Sequence, residues 1–333
     1  MKRAVPKLPH LNSLKYLVLS APLVLAGCDN ASPPSKTYEY TLAGAYAAAI
    51  SDDGHYGLVG AFNHGGSGWD NNRNVRLYNW NHAEGEFSVI SAGAFSPEGK
   101  YAVTATPQSI ALWDVNNGQS AGFWSAPAEI LDIDLSFNGD MALLGLANHT
   151  ATYFDVKNGG ERQVMRHPAR VGSVDLSHDG KWALTGSDDY VSRLWNIETG
   201  ELVQEVTLGN TVDTVALSND GRLAFSAASL DQAVIWDTQT GKVLHDLTAV
   251  AGFFEKRISY LSARFSENNQ RLLVGSSSGL VQLWDVNSGK RIKSWRVAKR
   301  DAYGPVQAGV YAVGFGPGTY LALGSNGLMN TFR

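Results

Sequence analysis

Acidic side chains set at a fixed offset from a recurring serine turn are the residues best placed to do chemistry. Asp134 and Asp175 each stand two positions before such a turn, at Ser136 and Ser177, with Asp132 two positions earlier and Arg264 at the matching offset from Ser266. Three carboxylates brought together would hold a cation or work as an acid–base pair. A catalytic pair also needs a third, positioned group, and the pattern offers none. The residues favour a plainer reading, in which polar side chains meet water and Arg264 offsets acidic charge. The histidines add no centre: His55 and His178 lie in serine turns, and His82, His149 and His245 stand singly in or near loops. No HxH, HxxxH or Cys/His spacing is there to ligate a metal. Gly65-Gly66-Ser67-Gly68 opens no helical pattern and precedes no lysine, so it is no phosphate cradle. No enzymatic activity, cofactor or metal is expected.

The elements that must position these residues form a repeat, complete from His167 to Gly200. It has alternating Val171, Val174 and Leu176, the turn Asp179-Gly180 and a second run from Trp182 to Thr185. Asp188-Asp189 then lead into a third run ending Leu194-Trp195-Asn196, and a fourth run, Leu202 to Thr207, follows the turn Thr199-Gly200. Alternation between turn residues reads as four strands. One sheet of that size cannot bury both faces alone, so copies must stack. Third runs read as ending at Tyr78-Asn79-Trp80, Trp113-Asp114, Phe154-Asp155, Trp195-Asn196, Trp236-Asp237, Trp284-Asp285 and Phe332-Arg333, at spacings of 35, 41, 41, 41, 48 and 48 residues. The turns SDDG, SPEG, SFNG, SHDG, SNDG, SENN and a shortened GPG recur in step from Ser51 to Gly316.

Seven units with aromatic-Asp endings resemble the WD-repeat β-propeller family. The resemblance implies an all-β, seven-bladed propeller over residues 37–333. It also implies, in each blade, a hydrogen-bonded tetrad of His, Ser or Thr, Asp and Trp. Only the fourth unit offers all four, His167, Thr185, Asp189 and Trp195, while the Asp position elsewhere reads Asn148, Ser278 or Asn326. The column two before each turn is Ala49, Ala94, Asp134, Asp175, Ala216, Arg264 and Gly314, mostly small, as inner strands crowded near an axis require. The seventh unit stops on its third strand at Arg333, and residues 37–42 are an orphan strand. Pairing the two closes the ring without an open sheet edge.

Ahead of the ring, Lys2, Arg3, Lys7 and Lys15 precede a ten-residue apolar run, Tyr16 to Leu25, too short to span a bilayer. With Leu25-Ala26-Gly27-Cys28 it is similar to a bacterial lipoprotein signal peptide. That similarity implies that residues 1–27 are removed and that Cys28, the only cysteine, carries acyl chains (palmitate-type) that anchor the protein in a membrane of the cell envelope. Asp29 resembles the signal that retains lipoproteins at the inner membrane, and residues 28–36 read as the lipidated end and a polar linker. The formal net charge of −4 argues against a nucleic-acid partner.

In propeller geometry, loops between second and third strands share a face with the connections between blades. Three long segments fall there, Asn63 to Asn74, Thr248 to Ile258 and Val297 to Ala308, in neighbouring units 6, 7 and 1. Trp69, Phe253, Phe254 and Tyr303 would anchor a protein partner, with Arg73, Lys256, Arg257, Lys299 and Arg300 around them. The closing strand starts on the opposite face, so the tether is expected to leave there, with Lys290 and Arg291 on the tether's side. The expected function is a non-catalytic, membrane-anchored scaffold for an unidentified protein partner. The alternative is a ligand-binding, cation-binding or enzymatic propeller that uses Asp132, Asp134 and Asp175 in its axial channel.

Overall fold

The alternating runs become strands of a closed ring in a computed structural model, which describes residues 31–230, 232–248, 258–301 and 308–333. Among these residues the chain forms 28 strands, β1 to β28 in chain order, and no helix. They build seven four-stranded antiparallel sheets. Blades 1 to 6 span residues 45–79, 92–125, 130–166, 171–207, 212–246 and 260–296. Blade 7 consists of β26 (Val310–Gly316), β27 (Thr319–Gly324), β28 (Leu328–Phe332) and, on its outer side, β1 (Lys36–Glu39). Consecutive antiparallel strands put alternate connections at opposite ends. One face therefore carries the serine turns and the turns after each third strand (the turn face), and the other carries the remaining loops (the loop face).

Closure occurs as expected, in the register Lys36↔Thr331, Thr37↔Asn330, Tyr38↔Met329 and Glu39↔Leu328. Tyr40 and Thr41 extend it by donating their N–H groups to the Gly327 carbonyl at 2.9 and 3.3 Å. The residues before β1 are held as well. Ser32 N–H donates to Ser294 O and its carbonyl accepts from Arg296 N–H, both at 3.0 Å, a parallel bridge onto the outer strand of blade 6.

The serine turns work through one small network. Ser177 Oγ donates to Asp179 at 2.7 Å and accepts the Trp182 N–H at 3.0 Å, while Gly180, at a φ of 68°, takes the left-handed conformation that costs glycine nothing. In SENN, Asn269 occupies that position at a φ of 58°, since asparagine tolerates it better than most side chains. The aspartate after the aromatic caps the next turn: Asp155 accepts from Lys157 and Asn158, and Asp237 from Gln239 and Thr240. The aromatics themselves fill the space between blades, where Trp236 and Phe332 are completely buried.

Blade 1 corrects the sequence reading. Its third strand is β4 (Gly65–Asp70), and Trp69-Asp70 is its aromatic-Asp pair, whereas Tyr78 and Asn79 belong to the fourth strand, β5 (Val75–Asn79). Glycines with little intrinsic strand preference are held extended here by two neighbours, β3 (Tyr56–Ala61) and β5. Their lack of side chains is also used: a Cβ on Gly66 would fall 2.2 Å from the Trp80 carbonyl oxygen. Residues 63 to 74 are therefore a six-residue strand between two turns and not a long loop.

Candidate functional site: axial channel and loop face

The inner strands surround a channel of about 810 Å³. Its aspartates are occupied. Asp132 accepts the N–H groups of Ile133 and Val174, both at 2.9 Å, Asp134 accepts Leu176 N–H at 2.9 Å, and Asp175 accepts Leu217 N–H at 2.6 Å and Leu176 N–H at 3.0 Å. Each carboxylate thus stitches its own inner strand to the strand of the following blade. Ser173, Thr214 and Ser262 continue the stitching through Val215 N–H, Tyr260 O and Val310 O at 3.1, 2.8 and 2.9 Å. Blades 3 to 7 are linked this way, and the matching positions Ala47, Ala92 and Ala312 carry only a methyl group. Burial pushes the Asp132 carboxyl up to about 7. Burial also raises Asp134 and Asp175, and the Asp175 charge raises Asp134 further. Among the described residues no group of three or more His, Cys, Asp and Glu is arranged to hold a metal ion.

Arg264 partly offsets the rise at Asp175 by its charge, but its direct partner lies elsewhere. It reaches across the channel to Asp52 in the serine turn of blade 1, Nη1 to Oδ1 at 2.5 Å, and His178 from the turn of blade 4 meets the other Asp52 oxygen at 3.0 Å. Burial alone would raise the Asp52 carboxyl, but Arg264 and His178 outweigh it and hold the group below its ordinary value. Three blades that are not neighbours are so joined over the turn-face mouth of the channel.

The tetrad residues of blade 4 come together without forming one relay. Trp195 Nε1 donates to Thr185 Oγ1 at 3.0 Å, but Thr185 donates to Arg193 O, and Arg193 Nη1 stands between His167 Nδ1 at 3.3 Å and Asp189 Oδ1 at 3.1 Å. The bulky guanidinium of Arg193, buried on the third strand, takes the place of a direct His–Asp bond. A continuous relay exists instead in blade 2, through residues read as unconnected. Trp113 Nε1 donates to Thr104 Oγ1 at 2.8 Å, Thr104 Oγ1 lies 2.8 Å from His82 Nε2, and His82 Nδ1 lies 2.6 Å from Ser109 Oγ. Ser109 takes the aspartate's role from the first residue of the third strand, two positions after the aspartate position, which here is Pro107. The sequence signal was present in a histidine ahead of the first strand, a threonine in the second and a tryptophan ending the third, but a search for aspartate passed over it.

The expected partner-binding residues separate. Trp69 lies in β4, stacked on Tyr40 at 4.1 Å with Nε1 on Ser67 Oγ at 2.9 Å, so it packs blade 1 and is no loop anchor. Arg73 sits in the turn after β4, on the turn face, beside Asp70. Arg300 is a ring fastener that donates to Glu39 Oε2 and Asn326 O, both at 2.7 Å, and to Thr41 O. Lys299 is exposed on the loop face. Phe253, Phe254, Lys256, Arg257 and Tyr303, like Cys28 and Asp29, lie outside the described residues. Sequence reasoning missed other exposed apolar side chains on that face: Leu42 at 69% exposure, Tyr46 at 50% and Phe87 at 66%. Tyr46 packs edge-on against Phe62, and Phe87 against His64, two residues on from Phe62.

Residues 161–196 and 251–285 match the profile of the WD40 family (WD domain, G-beta repeat). Each stretch ends on a third-strand pair, Trp195-Asn196 or Trp284-Asp285. These matches and the seven-bladed ring make the chain similar to the WD-repeat propellers, whose members typically serve as scaffolds for protein partners and are generally non-catalytic. No curated protein matches the chain.

Proposed function

We propose that this protein is a non-catalytic scaffold of the bacterial cell envelope, anchored through acylated Cys28, with Asp29 favouring the inner membrane. A protein partner docks on the loop face across blades 6, 7 and 1. The observation that carries the docking reading is the group of exposed apolar side chains there, Leu42, Tyr46 and Phe87, on a frame whose backbone is already ordered. A rigid surface loses little ordering entropy on binding, so a few anchors suffice. Lys299 extends the patch, and Phe253, Phe254, Lys256, Arg257 and Tyr303 are proposed as partner contacts. The channel carboxylates, engaged with backbone N–H groups, support a structural role better than a ligand site.

A photoreactive residue placed at 87 or 299 should yield a discrete crosslinked adduct in intact cells, and one at Val203, on the outer strand of blade 4, should not. Equal labelling at all three positions would remove the docking face. Loss of membrane fractionation in Cys28→Ser, with a matching loss of acyl mass, is the expected result for the anchor.

A further inference from the structure

The segment ahead of the ring is not aimed where the closing strand begins. β1 starts at the turn face, yet Ser32, four residues earlier, is pinned by two backbone hydrogen bonds to the outer strand of blade 6, β25 (Lys290–Arg296). Ser32 stands four positions after Cys28, at most about 14 Å of extended chain. A bilayer that holds acyl chains at Cys28 must therefore lie close to this rim, not merely somewhere beneath one face.

The rim has the matching chemistry. β25 exposes Lys290, Arg291, Ile292 and Lys293 in succession, with Ile292 at 48% exposure, in a protein whose formal net charge is −4. Among the described residues no carboxylate side chain pairs with Lys290, Arg291 or Lys293. Lys293 Nζ contacts the Arg333 carbonyl and lies 5.4 Å over the Trp295 ring, which holds its stem against the blade. Cations around one apolar side chain suit a surface of anionic phosphates over hydrocarbon.

We infer that the outer strand of blade 6 is the membrane-facing edge of the ring, with Lys290, Arg291 and Lys293 meeting the phosphate oxygens of anionic lipid headgroups and Ile292 entering the interface between them. The propeller stands on its rim, and its loop face opens sideways along the membrane. This orientation rests on the anchoring proposed above.

Because Cys28 is the only cysteine, an introduced one takes a fluorophore selectively once Cys28 is acylated. The acylated protein, labelled at Ile292→Cys or at Glu161→Cys on the outer strand of blade 3, is reconstituted into phosphatidylcholine vesicles containing phosphatidylglycerol and a headgroup-nitroxide lipid. Quenching should be severalfold stronger at 292 than at 161. It should fall to the level of 161 when Lys290→Gln, Arg291→Gln and Lys293→Gln are combined. Equal quenching at the two positions, or quenching at 292 that survives the triple substitution, overturns the proposal. Full-length Cys28→Ser protein separates the two readings. If it still binds the anionic vesicles through a quenched position 292 while the wild type proves unacylated, the rim stands and the anchor falls. If the wild type is acylated and position 292 stays bright, the anchor stands and the rim falls.

Discussion

At Thr104 one hydroxyl accepts the Trp113 N–H and meets His82 Nε2 in a buried setting. Thr104→Val keeps the volume but leaves the indole N–H without a partner, a loss of about 1–3 kcal/mol. Chemical denaturation should show that loss, whereas the same change at an exposed threonine should cost almost nothing. Burial lowers His82 from its ordinary 6.5 to about 4, and burial followed by the Arg193 charge lowers His167 to about 4 as well. Between those limits the unfolded chain binds the extra protons, so both histidines make stability fall as pH drops from 6.5 towards 4. Asp132, raised from 3.8 to about 7, has the opposite sign: its contribution is complete below 3.8 and is lost as pH rises through 7. Asp132→Asn should therefore remove a contribution that opposes the histidines between pH 3.8 and 7, so that across this window the melting temperature of the variant rises more steeply with pH, or falls less, than that of the wild type. A pH dependence between 4 and 7 that is unchanged in Asp132→Asn would show that the carboxyl does not contribute.

At the scale of the strand, β4 shows how a weak local preference is overruled. Gly65-Gly66-Ser67-Gly68 has few side chains to favour an extended backbone, yet it pairs on both sides, and Trp69 locks it by stacking on Tyr40 just beyond the closing strand. Trp69→Ala removes that stack and the Ser67 bond, at an expected cost of about 2–4 kcal/mol. Thermal unfolding should register it, so lower partner capture by this variant would report misfolding and not a lost anchor. Strands with aliphatic alternation, such as β14 (Val171–Leu176) and β15 (Trp182–Ser187), needed no such support to be read from the sequence.

For the whole ring, stability depends on joints between distant parts of the chain. Arg300 joins the loop before blade 7 to Glu39 and Thr41, more than 250 positions earlier in sequence. Arg300→Ala should loosen the closure, seen as faster hydrogen exchange in β1 and β28, and removal of residues 37–42 should lower the melting temperature of the entire ring in one transition. Persistence of a single unshifted transition after that removal would mean that closure is not what makes the blades cooperative. The bridge from Arg264 through Asp52 to His178 is a second long-range joint, but its side chains are about one-third exposed, so its share should be small.

The sequence by itself determined the number of blades, the serine turns, the third-strand endings of every blade but the first and the closure by an N-terminal strand. All of these follow from period-two burial and turn chemistry, which act over a few residues. The tertiary structure decided what each polar residue does. Asp132 and Asp134 meet the N–H groups of the next blade, Arg264 finds a partner 212 positions away, and Arg193 enters a site that four other residues were expected to fill. It also placed Ser32 on the outer strand of blade 6. Such choices turn on which groups a closed ring brings within hydrogen-bond distance, and no local pattern encodes that proximity.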